Sequence, residues 1–406
     1  MSLSDNIKVM KSGLRILSSV SPRLTWKLIR NFGVRNMIGI RRFEKRQAKG
    51  EPFYPAFMMI SLTNACNLSC SGCWVTQTRP AKQLSMEQLD GIIETSKRYG
   101  SYFFGILGGE PLLYPGLFDL FTKHKDCYFQ LFTNGIGLTP EVVARLKKAG
   151  NVTPMISIEG LEEESDKRRG RNEVFRRTMD GVENCVKQGL FTGAAASICK
   201  SNFDELVTRD YIEYLAKKGV HYLWYYIYRP AGANPNPANA LSEEQVLSLR
   251  RFLVEQRRNA PLIIIDTYWD ADGKAVCPGA IGMSHHIGPS GAVEFCPPLQ
   301  LAKDFLNEDA SNLEDICNRS AFLKDLRELT ASTSRGCILL ENPALLKRFA
   351  EEHRAEDSSN RAGYFAELEA MSALPGHHIP GKEISETNFI YRFAKKNFFF
   401  GFGAYG

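Results

Sequence analysis

The sequence predicts an α/β fold built on a parallel sheet, preceded by a helical extension and followed by a smaller Cys-containing region. Two observations carry this. From Ala56 onward, six apolar runs of strand length (57–62, 102–107, 128–133, 153–158, 194–199 and 221–228) alternate with stretches of helical period near 85–98, 116–124, 140–149, 172–189 and 203–218. Such alternation marks βαβ units, whose crossovers make a sheet parallel. The polar motifs of this half of the chain fall at the C-terminal ends of the runs, where parallel α/β folds bind ligands.

Residues 1–50 hold 12 Lys/Arg against Asp5 and Glu44, a net +10, while the whole chain carries +6. The remainder is therefore −4, and the basic character belongs to the extension. Nucleic-acid binding by the body is not indicated. The bases are interleaved with Leu14, Ile16, Leu17, Leu24, Trp26, Leu28, Ile29, Phe32, Met37 and Ile38. That pattern predicts amphipathic helical segments, broken near Ser21-Pro22. They fit either a cap packed on the body or an interfacial helix drawn to anionic lipid.

Residues 51–232 form the predicted core of six βα units; Ser85-Met-Glu-Gln88 opens its first helix with a capping box. The Pro/Gly/Asn-rich stretch 229–238 leaves this core, and 233–270 is a connecting segment with a helix over 242–258 and a buried strand, 261–266. Residues 271–342 contain Cys277, Cys296, Cys317 and Cys337. Residues 343–406 begin helical and end in an aromatic tail, Phe398-Phe399-Phe400-Gly401-Phe402. No internal repeat or low-complexity tract interrupts the 406 residues. A length of that order exceeds one average domain and supports a large core without staples.

The first run leads into Cys66-Asn-Leu-Ser-Cys70-Ser-Gly-Cys73. Three clustered thiolates can hold a soft metal centre. Iron–sulfur clusters usually have four Cys ligands, so a cubane on this loop would keep one iron open. A structural zinc site with its fourth ligand elsewhere is the plainer alternative. Three of the ten Cys on one loop, with the rest scattered, read as reduced thiols and metal ligands in a cytoplasmic protein rather than disulfides. No signal-peptide core or membrane-spanning run is seen. Cys127, Cys185 and Cys199 fall within predicted elements and read as core thiols.

The CxxxCxxC loop after the first strand resembles the radical S-adenosylmethionine (SAM) superfamily. Gly108-Gly109-Glu110-Pro111 after the second run, Thr133-Asn134-Gly135 after the third, and Ser157-Ile158-Glu159-Gly160 after the fourth fit it in order, over about residues 55–230. The resemblance implies a partial (βα)6 TIM-like barrel. It implies that Cys66, Cys70 and Cys73 hold a [4Fe–4S] cluster whose open iron binds SAM. Reductive cleavage of SAM would then give a 5′-deoxyadenosyl radical that abstracts hydrogen from a substrate. By the same resemblance Gly108, Gly109, Glu110 and Pro111 meet the SAM amino group. Ser157 and Glu159 are candidates for its ribose, and Asn134 has similar standing. Arg168, Arg169 or Arg171 could pair with the SAM carboxylate. One departure stands out. The family's aromatic residue before the third Cys is replaced by Gly72, and Trp74 follows instead.

Cys277, Gly291-x4-Cys296 and Cys337 resemble the start of a SPASM or twitch domain, which implies an auxiliary iron–sulfur cluster. Cys317 is the candidate fourth ligand, with His285 and His286 behind it. The substrate class stays open among small metabolites, lipids and peptides, and a flavodoxin or ferredoxin is the implied reductant. The extension adds an expected peripheral membrane contact. Two other readings are a non-catalytic zinc protein and an enzyme that activates a glycyl radical on a protein partner.

Overall fold

A computed structural model describes residues 18–397 apart from 234, 267 and 335. The six predicted strands are β1 (Phe57–Ser61), β2 (Phe103–Leu107), β3 (Tyr128–Thr133), β4 (Val152–Ser157), β5 (Gly193–Ile198) and β6 (Tyr222–Ile227), each within two residues of its apolar run. They pair in chain order and all parallel. The helices between them lie where the 3.6 period placed them, from Met86–Arg98 to Arg209–Lys217. Ser85 caps the first through the expected box, accepting from Gln88 N at 3.0 Å.

The sheet does not stop at six strands. β7 (Ile263–Asp266) adds parallel to β6, and β8 (Ser284–Ile287) pairs parallel with β1 on the opposite side. β9 (Val293–Glu294) returns antiparallel beside β8 across the Gly288–Gly291 turn. The nine strands run β7-β6-β5-β4-β3-β2-β1-β8-β9, an open, partial barrel. Thus β1 is covered on both edges, and residues assigned to the connecting and Cys-containing segments complete the sheet.

Alternate residues along each strand serve two cores, as a period of two requires. Met58, Phe104, Phe129, Ile156, Ala194 and Leu223 join the larger core with the helices. Phe57, Phe103, Tyr128, Met155, Ala195, Tyr222, Trp224 and Ile265 form a second cluster, against which Leu28 and Phe32 of the extension pack. The extension folds as Pro22–Lys27, a π-helical stretch Leu28–Val34, and Arg35–Lys49. It crosses the loops that precede the strands. Ser21 N donates to Gly189 O at 3.0 Å before β5. Lys27 reaches Ala149 O at 2.6 Å before β4, Asn31 reaches Cys127 O at 3.3 Å before β3, and Arg46 reaches Tyr99 O at 2.8 Å before β2. The extension is therefore a cap over the N-terminal end of the barrel, opposite the Cys loop. Its outer face is left to solvent, with Trp26 63%, Ile29 49%, Val34 45% and Ile38 42% exposed.

Candidate active site

At the C-terminal end of the sheet a cavity of about 580 Å³ is lined by Cys66, Cys70, Cys73, Gly108, Gly109, Asn134, Ser157 and Glu159. Trp74, Arg168 and Arg169 complete its polar and aromatic wall. Residues from the first four strand ends thus converge on one space.

The Cys loop is tied down at its base by buried Asn64. Its Nδ2 donates to Thr76 O and Thr78 Oγ1, each at 3.0 Å, and its Oδ1 accepts from Lys82 N at 2.9 Å. Ser71 N donates to Arg168 O at 2.8 Å, fixing the loop to the segment after β4. At Gly72, φ is +70°, and a Cβ would lie 2.5 Å from the Tyr228 hydroxyl. The Tyr228 ring, from the end of β6, thus packs against the loop beside the third Cys, while Trp74 lines the cavity.

Gly108 and Gly109 let two backbones meet. A Cβ on Gly109 would sit 2.2 Å from Ala65 O, and Gly109 N donates to Thr63 O at 2.7 Å. Glu110 does not line the cavity. Its buried carboxylate accepts from Leu112 N at 3.1 Å, Thr133 Oγ1 at 2.8 Å and Asn134 N at 2.8 Å. Burial raises its pKa, and those hydrogen bonds work against the rise. The expectation that this carboxylate meets the SAM ammonium is therefore replaced: in this fold Glu110 clamps the loop after β3. Pro111 is buried and starts the short turn Pro111–Leu113. Asn134 Nδ2 donates to Asn67 Oδ1 at 2.7 Å, joining that loop to the Cys loop.

Glu159 is held by Arg168 at 3.0 Å and Arg169 at 3.6 Å, and its Oε2 accepts from Ser197 N at 3.1 Å. Arg169 also donates to Ser157 O at 2.9 Å and approaches Cys70 Sγ at 3.6 Å. A guanidinium thus stands beside the thiols and favours thiolate. Burial pushes the Cys66 thiol up to about 11, with Arg169 opposing it. Ligation would therefore release protons. A tetrahedral zinc–thiolate site needs Zn–S bonds near ~2.3 Å. Among the described residues, no three His, Cys, Asp or Glu side chains converge as ligands of a single ion. The three cavity thiols are thus not drawn together round one ion.

The second Cys group is also gathered. Cys277, Cys296 and Cys337 act electrostatically on one another, and Arg229 Nε donates to Cys337 Sγ at 3.3 Å. Cys317 is not among them. It is buried in the core under the helix Leu313–Arg319, where Arg327 and Glu314 are the charges that act on it. The fourth-ligand expectation for Cys317 is corrected accordingly: the apolar spacing of its helix turns it inward. His286 is also committed elsewhere, to Glu294 at 2.5 Å and Ser61 at 2.8 Å. His285 packs on Phe53 at 5.7 Å with Arg327 near. Sequence reasoning missed Arg229. Its place directly after β6, at a strand end, is the signal that could have found it.

Residues 60–222 match the family model described as the Radical SAM superfamily. Among curated proteins, the sporulation killing factor maturation protein SkfB of Bacillus subtilis is 31% identical over 42% of this chain and 42% of its own length. The mycofactocin maturase MftC of Mycolicibacterium smegmatis is 28% identical over 68% of this chain and 73% of its own. The chain spans about half the length of the first curated relatives it matches. Among solved structures, Streptococcus suis SuiB bound to the precursor peptide SuiA superposes with a TM-score of 0.57 at 17% identity, covering 71% of this chain and 70% of SuiB. At that identity the likeness is one of fold. The sequence match from β1 to the start of β6 falls on this parallel sheet, so residues 60–222 form a domain similar to the radical SAM superfamily.

Proposed function

We propose that this protein is a radical SAM enzyme whose Cys66, Cys70 and Cys73 hold a [4Fe–4S] cluster, with SAM in the adjoining cavity. The observation that carries the reading is the convergence of three thiols, a backbone cradle and a buried Arg–Glu pair on one space of about 580 Å³. When bound, the two cofactors supply an electron and a radical at the SAM 5′ carbon that removes a hydrogen atom from the substrate. The chain's own part is placement. Gly108 and Gly109 keep the cavity wall free of side chains, so backbone groups face the SAM amino group. Glu159 and the Ser157 segment offer acceptors to the ribose. Arg169 offsets negative charge beside Cys70. Trp74 covers one side and excludes water.

A second cluster on Cys277, Cys296 and Cys337 extends this reading. Peptides lead among the substrate classes, because SkfB is named for maturation of a killing factor and SuiB was solved with a precursor peptide. The outer face of the extension supports a further reading, a peripheral contact with the cytoplasmic membrane surface. No helix among the described residues is long and apolar enough to cross a membrane.

Anaerobic reconstitution with dithionite and SAM tests the main reading. Formation of 5′-deoxyadenosine by the wild type, lost in Cys66→Ala, is the expected result. Protein that binds zinc, takes up no iron and leaves SAM intact would overturn it.

A further inference from the structure

Three thiols make an incomplete ligand set for a cubane that usually takes four protein ligands. Beside the loop of Cys337 the structure holds an unexplained group. His377 is 1% exposed, and both of its ring nitrogens are buried without a hydrogen-bond partner. Protein interiors rarely leave such atoms unmet. The residue is fixed in place, since its backbone oxygen accepts from Trp269 Nε1 at 2.8 Å and its ring lies 4.1 Å from that of Tyr268.

Its position is beside the loop that carries Cys337. His377 Nδ1 lies 3.1 Å from where a Cβ on Gly336 would stand, and Gly336 directly precedes Cys337. Arg229, which donates to Cys337 Sγ at 3.3 Å, also stands over Tyr268 at 5.3 Å and acts on His377. Of the other histidines of this region, His378 contacts Glu383 at 2.8 Å and His286 contacts Glu294 and Ser61, while His285, whose ring nitrogens also lack a partner, packs on Phe53 with Arg327 near.

We propose that His377 is the fourth protein ligand of an iron–sulfur cluster held by Cys277, Cys296 and Cys337. This rests on the second-cluster reading above. The bond formed is from a ring nitrogen of neutral imidazole to iron, with no redox step in the ligation itself. Replacing thiolate by imidazole removes a negative charge from the cluster and raises its reduction potential, the direction seen where His replaces Cys in other centres. The cluster would then be closed to direct substrate ligation and suited to passing electrons.

The test uses the full chain carrying Cys66→Ala, Cys70→Ala and Cys73→Ala, so that only the second cluster is read. It is reconstituted anaerobically with ¹⁵N-histidine, reduced, and examined by pulsed electron paramagnetic resonance beside an iron and sulfide count. About four irons per chain, with a strong histidine nitrogen coupling that disappears on adding His377→Ala, is the expected result. His377→Cys should keep the iron, lose the coupling and lower the potential. Iron without such a coupling, or a coupling that survives His377→Ala, overturns the His377 assignment and leaves the second cluster standing. No iron in the triple variant removes both.

Discussion

At the residue scale, the site depends on backbones that touch. A Cβ on Gly109 would meet Ala65 O at 2.2 Å and Asn64 O at 2.8 Å, both main-chain atoms that cannot swing away. Gly109→Ala should push the Cys loop outward while the sheet stays intact. Iron per chain should fall by up to the roughly four of one cluster with an unchanged circular dichroism spectrum; full iron loading would show that the loop does not rest on this contact. Glu110→Gln tests the clamp. Only one of the two carboxylate oxygens survives as an acceptor, and three donors compete for it. Charge-assisted bonds contribute about 1.5–3 kcal/mol each, so a loss of about 2 kcal/mol in urea unfolding is expected. Unchanged stability would return Glu110 to a ligand-facing role. The Cys loop and the Gly pair were legible in the sequence because they are contiguous. Glu110 was misread because a carboxylate in a motif looks the same whether it faces a ligand or three backbone and hydroxyl donors. Tyr228, Arg229 and His377 reach their places only through the fold, from positions far along the chain.

At the element scale, the extension resolves an ambiguity that composition left open. The packed cap is its inner face, and the membrane reading is a proposal about its outer face. Leu24, Asn31, Asn36, Ile40 and Phe43 turn inward, and Leu28 and Phe32 cover the inner cluster at the barrel's N-terminal end. Trp26, Ile29, Val34 and Ile38 point outward among the exposed bases Arg23, Arg30, Arg41, Arg42 and Lys45. Deleting residues 1–50 would therefore uncover part of a core, and its effect on membrane binding could not be read. Point changes avoid this. Trp26→Ser/Ile29→Ser/Val34→Ser/Ile38→Ser removes only solvent-facing groups, each worth up to about 1.5–3 kcal/mol if buried in lipid. Flotation with anionic vesicles should fall at least about tenfold, and wild-type binding should weaken with salt because the bases supply the attraction. Equal flotation of both proteins, or equal binding to neutral vesicles, would remove the membrane reading. The strands, by contrast, were placed within two residues, because a fully buried parallel strand is a continuous apolar run bounded by turns.

At the scale of the whole molecule, one nine-stranded sheet runs through the expected core, the connector and the start of the Cys-containing region. β7 and β8 extend it at both sides, and Arg361 from the C-terminal segment donates to Trp74 O and Thr76 Oγ1, each at 3.2 Å, beside the Cys loop. The last described helix, Phe389–Asn397, is joined to β7 through buried charges. Asp266 faces Arg257, Arg250 at 3.4 Å and Lys395 at 3.2 Å, while Glu386 meets Arg257 at 2.7 Å. Sequence alone shows Asp266 as the polar end of an apolar run; it cannot show that three cations arrive from elsewhere. Asp266→Asn leaves those cations short of one carboxylate in a dry interior, where breaking a buried pair costs about 3–5 kcal/mol. The pH dependence follows from the sign of the shift. Although burial alone would raise its pKa, Lys395, Arg257 and Arg250 together hold the Asp266 carboxyl well below the ordinary value of 3.8. Stability from its ionised form is present above the unfolded value and is lost as pH falls toward the folded one. In urea unfolding the gap between wild type and Asp266→Asn should be constant from pH 7 to about 5 and should close only below about 4. A gap that already shrinks between pH 7 and 5 would mean that another titrating group holds the C-terminal helix. The absence of any gap at pH 7 would mean that the helix is held to the sheet by its apolar contacts alone.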